Sequence, residues 1–323
     1  MRNIRQLSLE GLADQWGPVG RFISTQTIVV ELPFSIAHLP ERGGDVLGVT
    51  TGTTVGGGFS TVAAVARQGI ETLLASPLGT GLNSAQSRTA LAREGIATLG
   101  TEIVGDNGLR LTLLEPDGQR STITSPGVEA ECSPQELAKI DLRDGDWVFV
   151  SLPDLVYDTT GPALSSWVKT LPEEVKVAVG GGALVDEVPR DLLTVVLGRA
   201  DLVSMNERET HIVVSRLGPG PVEHVMRKFI PPTCILVSRD GARGCTVQER
   251  AGAVPTGVRA FHVERVDTTG VGDTHIGVMV AGLIQGLGIE EAALRANVAA
   301  ALALSKPGPG ASPGIAQIDA FLK

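Results

Sequence analysis

Aromatic residues make up only 3% of this 323-residue chain, and cysteine occurs just three times. With so few rings to stack on bases, a reader of nucleic acid is not expected. Cys132, Cys234 and Cys245 are widely spaced, giving neither a disulfide framework nor zinc-ligand spacing, which suits a reducing cytoplasm. Positive charge is short as well: the formal net charge is -9, which argues against a phosphate-backbone binder. A local anion site made from backbone N–H groups does not enter that sum. No window is long and apolar enough to span a bilayer, and "MRNIRQLSLEGLADQWG" lacks both an apolar signal core and a small-residue cleavage site. A soluble, cytoplasmic protein with no membrane partner is expected, its first twenty residues being a short extension or a first helix.

Several enzyme signatures are missing too. There is no "GK" dipeptide, so no Walker A loop can present a lysine to phosphates. "VGGGFSTVAAVARQG" at 55–69 approaches a dinucleotide loop, but Thr61 stands where the third glycine belongs, and "VGGGALVD" at 179 fails in the same place. With no G-x-S-x-G elbow, no HExxH, and five histidines scattered singly, hydrolytic triads and zinc sites have no support.

What is present has a rhythm. Short β-rich runs, "TLLAS" at 72, "DWVFVSL" at 146, "EVKVAV" at 174, "ADLVSM" at 200 and "TCILVS" at 233, alternate with helix-like segments near 60–68, 84–94, 161–170, 189–198 and 291–304. That order predicts α/β architecture, a mainly parallel sheet covered on both faces as a three-layer sandwich. Residues 28–48 and 108–124 break the pattern with alternating residues around turns such as "PDG", and read as antiparallel strands outside the main sheet. No linker splits the chain, so one domain over 1–323 is expected.

Chemistry concentrates in "VDTTGVGDTHIG" at 266–277. With a helix starting near Asp273, the turn Gly270, Val271, Gly272 points its N–H groups at the positive end of the helix dipole, an anion hole. A carboxylate at its rim can take a proton from a hydroxyl while the amides steady a transferring phosphoryl group. The alternative reading is that Asp273 is merely an N-cap and the glycines merely a turn.

"DTTGVGDT" resembles the C-terminal signature D-T-T-G-A-G-D of the ribokinase-like (PfkB) carbohydrate kinases, with Val271 the one change. That resemblance implies Asp273 as catalytic base and Gly270, Val271 and Gly272 as the anion hole. "DLVSMNERE" resembles the family's N-x-x-E, so that Asn206 and Glu209 organise Mg²⁺ and nucleotide phosphates, largely through water; Asn206 is equally a helix N-cap. "SRDGARG" resembles the loop near the nucleotide, with Ser238, Gly241 and Gly244, and Asn297 matches an adenine-side asparagine. Some members hold K⁺ beside the anion hole, and Asp267, Gly308 and Ser312 fall at matching spacings.

The N-terminal half departs from the family pattern. "LPERGGDVLG", with Asp45, and "SPGVEAE" resemble segments of a small β lid, placing lid strands within 28–50 and 108–126. The sugar-gripping N-x-D falls on Val29 and Glu31, a longer acid. The glycines Gly56 and Gly57 are present, but the following asparagine becomes Ser60 or Thr61; "GGGALVD" replaces D-x-N-x-R, and His275 stands where Phe is usual. The resemblance implies an ATP- and Mg²⁺-dependent kinase acting on a primary hydroxyl of a monosaccharide or small polyol. Substrate contacts are then Glu31, Gly56, Gly57, Ser60, Thr61 and Asp273. A nucleoside kinase of the same superfamily and a non-catalytic sugar-binding or regulatory homologue stay open, and exposed lid edges suit a homodimer.

Overall fold

The computed structural model describes residues 20–323, so the expectation for the N-terminal segment lies outside the described residues. The chain begins with β1 (Phe22–Ser24), β2 (Ile28–Ile36), β3 (Gly48–Thr50), β4 (Thr54–Gly57) and α1 (Phe59–Ala66). Next come β5 (Thr72–Leu74), α2 (Leu82–Arg93), β6 (Ala97–Thr98), β7 (Leu109–Leu114), β8 (Arg120–Ser125) and α3 (Pro134–Leu137). The middle holds β9 (Trp147–Ser151), α4 (Thr160–Val168), β10 (Lys176–Gly180), α5 (Arg190–Leu197) and β11 (Leu202–Asn206). They are followed by α6 (Glu207–Leu217), α7 (Val222–Met226), β12 (Ile235–Arg239), β13 (Cys245–Gln248) and β14 (Thr256–Val258). Helices α8 (Val271–Ile284), α9 (Ile289–Leu304) and α10 (Ile315–Leu322) come last.

The central strands are apolar on both faces because helices cover both. Val148, Val150, Val177 and Val179 join one buried cluster with α3 to α7, while Phe149 and Ala178 join another with α1, α8, α9 and α10. Each such buried side chain contributes about 1.5–3 kcal/mol relative to exposure, which is what selects the layered arrangement over an open sheet. The nine-stranded sheet runs β14-β13-β12-β11-β10-β9-β1-β5-β6. Pairs from β6 through β12 are parallel, and β12-β13 and β13-β14 are antiparallel.

From β1 the chain moves to β5 and β6 on one side, then returns to β9 on the other, so the order reverses beside β1. Crevices at the carboxyl ends of strands flanking such a switch are where open α/β sheets bind ligands. Residues after β1, β11 and β12 therefore share one rim.

Residues 28–57 and 109–125 form a separate five-stranded sheet, β3-β2-β7-β8 with β4 also on β2. The expectation of antiparallel strands holds for β2-β3, β2-β4 and β7-β8, but β2 and β7 pair in parallel. Eight-residue α1 and long α2 separate these two strands in sequence, and a crossover of that kind returns the chain in the same direction. Helix α1 lies tight against α8: a Cβ on Gly277 would stand 2.8 Å from the Ala64 Cβ and 2.9 Å from the Thr61 carbonyl oxygen. Glycine there lets the two helices touch, one turn from the residues that matter most.

Candidate active site

Helix α8 starts two residues earlier than expected, at Val271, with Gly270 as its N-cap in the left-handed region at φ 70°. A side chain at that φ would be strained, and its Cβ would meet the Ser60 Oγ at 2.5 Å. The first i to i−4 bond is Thr274 N–H to the Gly270 carbonyl, 2.8 Å. The N–H groups of Gly272 and Asp273 consequently have no carbonyl within the helix to receive them. Unpaired amides, the helix dipole and no side chain on 270 or 272 leave this turn chemically suited to an anion.

Asp273 lies half-buried in the first turn of α8. Its Oδ1 accepts from the Thr61 hydroxyl at 3.2 Å and from the Gln26 Nε2 at 3.3 Å. Thr61 also bonds the Gln26 Oε1 at 2.8 Å, closing a triangle of three side chains. Of the two residues left open for the missing asparagine, Thr61 is the one that reaches Asp273, while buried Ser60 packs beneath Gly270. Gln26 was not singled out from sequence; a lone polar residue after a short strand carries no motif.

The remaining residues expected on the acceptor side lie on the five-stranded sheet. Val29 is buried in the core side of β2. Glu31, on the same strand, is buried and accepts from Arg110 Nη1 at 3.3 Å, and Gly56 on the neighbouring β4 leaves room for its carboxylate, since a Cβ there would come within 2.4 Å of it. Gly57 ends β4 with φ 59°. Arg110, on β7, was also missed, because only the parallel β2-β7 register sets it opposite Glu31. Asp45 is exposed, away from these contacts.

On the other side of the α8 terminus, both sequence readings of Asn206 and Glu209 coexist. They form a capping box: Asn206 Oδ1 accepts from Glu209 N–H at 2.9 Å, and Glu209 Oε2 accepts from Asn206 N–H at 2.8 Å. Glu209 Oε2 further receives Arg239 Nη2 at 2.9 Å. The "GGG" replacing the family's D-x-N-x-R passes directly over this carboxylate, for a Cβ on Gly181 would sit 2.4 Å from Oε2. Arg239 was not picked from "SRDGARG", yet its Nη1 lies 2.2 Å from where a Gly272 Cβ would stand, placing a guanidinium against the amide turn. Its Nε is enclosed without a hydrogen-bond partner among the described residues.

No three His, Cys, Asp or Glu side chains converge as a metal cage among the described residues. A hydrated Mg²⁺ carried by nucleotide phosphates needs no cage, and Glu209 Oε1, which bonds no described residue, is a donor of the right hardness. Ser238 is half-buried on β12, Gly241 (φ 52°) is exposed, and Gly244 abuts the 258–260 backbone. Asn297 is buried, and its amide donates to the carbonyls of Val258 (3.1 Å) and Arg259 (3.0 Å). Its Oδ1 is therefore the acceptor for His275 Nε2–H at 3.1 Å, which fixes His275 as a buried packing residue with Nδ1 unpartnered. Burial first, and the nearby Arg239 charge second, push the His275 pKa down to about 3 against the Asn297 hydrogen bond.

A carboxylate in the first turn of a helix, beside unpaired amides at the rim of a doubly covered sheet, is the arrangement expected of a ribokinase-like kinase. The chain belongs to the pfkB family of carbohydrate kinases, whose model matches residues 35–315. It is 31% identical over 291 residues to the uncharacterized sugar kinase YegV of Escherichia coli K12, covering 88% of each chain. It is 26% identical to the ATP-dependent ribose-1-phosphate kinase of Halopiger xanaduensis, over 94% of this chain and 98% of that one. Among solved structures, ribokinase from Giardia lamblia superposes with a TM-score of 0.79 at 15% identity, over 94% of this chain and 99% of that one. Among the described residues no helix is long and apolar enough to cross a membrane.

Proposed function

We propose that this chain transfers the γ-phosphoryl group of ATP to a primary hydroxyl of a monosaccharide or related small polyol, with Asp273 as the base. The observation that carries this reading is the placement of Asp273: Thr61 and Gln26 orient its Oδ1 at the first turn of α8, beside the free amides. The acceptor hydroxyl gives its proton to Asp273 as its oxygen bonds to the γ-phosphorus, and the bond to the β-bridging oxygen breaks to release ADP. The amides of 270–273 and the Arg239 guanidinium meet the negative charge on the transferring group. Mg²⁺, held mostly through water by Asn206 and Glu209, supplies charge neutralisation on the phosphates when bound. Ser238, Gly241 and Gly244 flank the nucleotide, and Asn297 shapes the adenine side by holding the 258–259 backbone.

Glu31, Gly56, Gly57, Ser60 and Thr61 form the acceptor side, with the five-stranded sheet as a lid over it. The two sheets act as one domain in this reading. Arg110 beside Glu31 adds a positive charge that an acceptor bearing an anionic group could use, in keeping with the sugar-phosphate kinase among the relatives. Leu47, Val49 and Ile123 are 93%, 72% and 61% exposed on or beside the edge strands of that sheet, which supports a homodimer through the lid. Three buried free thiols fit a cytoplasmic location.

The test is ADP release from ATP and Mg²⁺ across pentoses, hexoses, sugar phosphates, sugar acids and nucleosides, with Asp273→Asn alongside. Turnover of one acceptor that collapses in the variant supports the reading. Turnover of nucleosides alone moves the acceptor class, and tight binding without turnover rejects catalysis.

A further inference from the structure

The resemblance to K⁺-binding kinases sets up a specific expectation at Asp267, Gly308 and Ser312, and the surroundings of Asp267 do not fit it. Asp267 Oδ1 accepts from the Thr269 N–H and the Thr269 hydroxyl, each at 2.8 Å, and also from Arg120 Nη2. Its Oδ2 accepts from the Gly308 N–H at 2.9 Å. Three donors thus crowd Oδ1 and one reaches Oδ2, so the carboxylate is already well satisfied by N–H and O–H groups. Gly308 thus turns a donor, rather than an acceptor, toward the carboxylate.

The neighbouring loop shows the same preference. The carbonyls of Gly310 and Ser312 both receive Arg67 Nη1, at 2.6 and 2.5 Å, and Arg67 is itself anchored by Glu94. Ser312 Oγ is the one expected ligand atom enclosed without a partner. A dehydrated K⁺ needs a ring of oxygens to replace its water. Here a carboxylate and two loop carbonyls already face guanidinium groups.

We propose that Arg120 takes the place of a monovalent cation in this protein, its guanidinium neutralising Asp267 and bracing the chain that leads into the amide turn. Arg120 Nη1 donates to the Thr269 Oγ1 while Nη2 donates to Asp267, so one planar fork spans two residues of the segment that ends at Gly270. Burial alone would raise the Asp267 pKa; the bonds from Arg120, Thr269 and Gly308 overcome it and hold the carboxyl down at about 2. A second cation here would meet the repulsion of the guanidinium's charge, already paired with this carboxylate. Because Arg120 opens β8, the clasp also joins the five-stranded sheet to the phosphoryl site. It stands in the wall of a cleft of about 540 Å³ between the β7-β8 turn and residues 265–268. The inference rests on the reading of 270–273 as an anion receptor.

The experiment reads cation binding without nucleotide or acceptor, so an error about the reaction leaves it interpretable. The thermal midpoint of the full chain is measured in KCl, RbCl, NaCl and tetramethylammonium chloride at one ionic strength, with crystals in RbCl examined for anomalous scattering. The wild-type midpoint is expected to be the same in all four salts, with no rubidium peak at Asp267. Arg120→Ala is expected to fall by roughly 2–4 °C in sodium and to recover in potassium or rubidium, with a peak between Asp267 and Ser312. Arg120→Lys, which keeps the charge, should remain indifferent to the salt. A K⁺- or Rb⁺-specific rise in the wild type, a wild-type rubidium peak at Asp267, or a midpoint untouched by loss of Arg120 overturns the proposal.

Discussion

The two sides of Asp273 are built in opposite ways. Toward the amide turn, residues 267–273 are consecutive, and what they present is mostly backbone: N–H groups at a helix start, with glycine at 270 and 272. Toward the acceptor side, Gln26, Glu31, Thr61 and Arg110 come from four separate elements or loops and present side chains. A backbone receptor depends on conformation and tolerates Val271 in place of alanine. A side-chain receptor changes its selectivity with each substitution, since a buried polar group left unpaired costs about 1–3 kcal/mol. The chain keeps the family pattern on the first side and departs from it on the second, which fits the proposal of one chemistry applied to a changed acceptor.

Mutations can break each side separately. Asp273→Asn removes the proposed proton acceptor, and turnover should fall by roughly two to four orders of magnitude while ATP binding persists, read by steady-state kinetics and calorimetry. Gly272→Ala attacks the backbone side: its Cβ would lie 2.2 Å from Arg239 Nη1, so the guanidinium must leave the turn. A loss of about 10²–10³ in kcat, for every acceptor alike, is expected. Thr61→Val attacks the other side by removing one hydroxyl from Asp273 and Gln26; about a tenfold loss in kcat/KM for the acceptor, with KM for ATP unchanged, would distinguish it. Equal losses for ATP and acceptor in that variant would erase the contrast between the sides.

The smallest effect on activity belongs to His275, which packs beneath both. Its pKa is depressed from 6.5 to about 3, so the folded state refuses a proton that the unfolded chain accepts. Its contribution to stability is complete above pH 6.5 and is lost as pH falls from 6.5 toward 3. Asp154 runs the other way: burial, against two bonds from Thr27, raises its pKa from 3.8 to about 7, so its contribution is complete below pH 3.8 and is lost as pH rises from there to about 7. Comparing urea unfolding of wild type and His275→Phe across that range isolates the histidine, and the variant should lose that part of the acid slope.

Much of the main sheet was legible because strands buried on both faces must be nearly continuous apolar runs. "WVFVS", "KVAVG" and "LVSMN" appear as β9, β10 and β11 where their runs lie. The edge strands β13 and β14 escaped notice: four and three residues carry no period. The parallel β2-β7 pairing was hidden because strand direction depends on what crosses between them. Asn206 and Glu209 were read as a cap or as phosphate-side groups, and the capping box shows that the first role is filled while one carboxylate oxygen remains for the second. Arg239 lay inside a quoted motif and was passed over, since an arginine at a strand end reads as solvated until its neighbours are known.

What the sequence determined by itself was whatever rests on residues a few positions apart: the buried strands, the helix start at the amide turn, the aspartate within it, and the pattern that marks the family. The tertiary structure decided which side chains meet that base and what neutralises Asp267. Gln26 and Thr61 reach Asp273 across 247 and 212 residues, and Arg120 reaches Asp267 across 147. Propensity, capping and dipoles act along a single turn and leave their mark in adjacent letters. Hydrogen bonds between distant segments exist only after the sheet order, the crossover and the close contact of α1 with α8 have brought their partners within 3 Å or so.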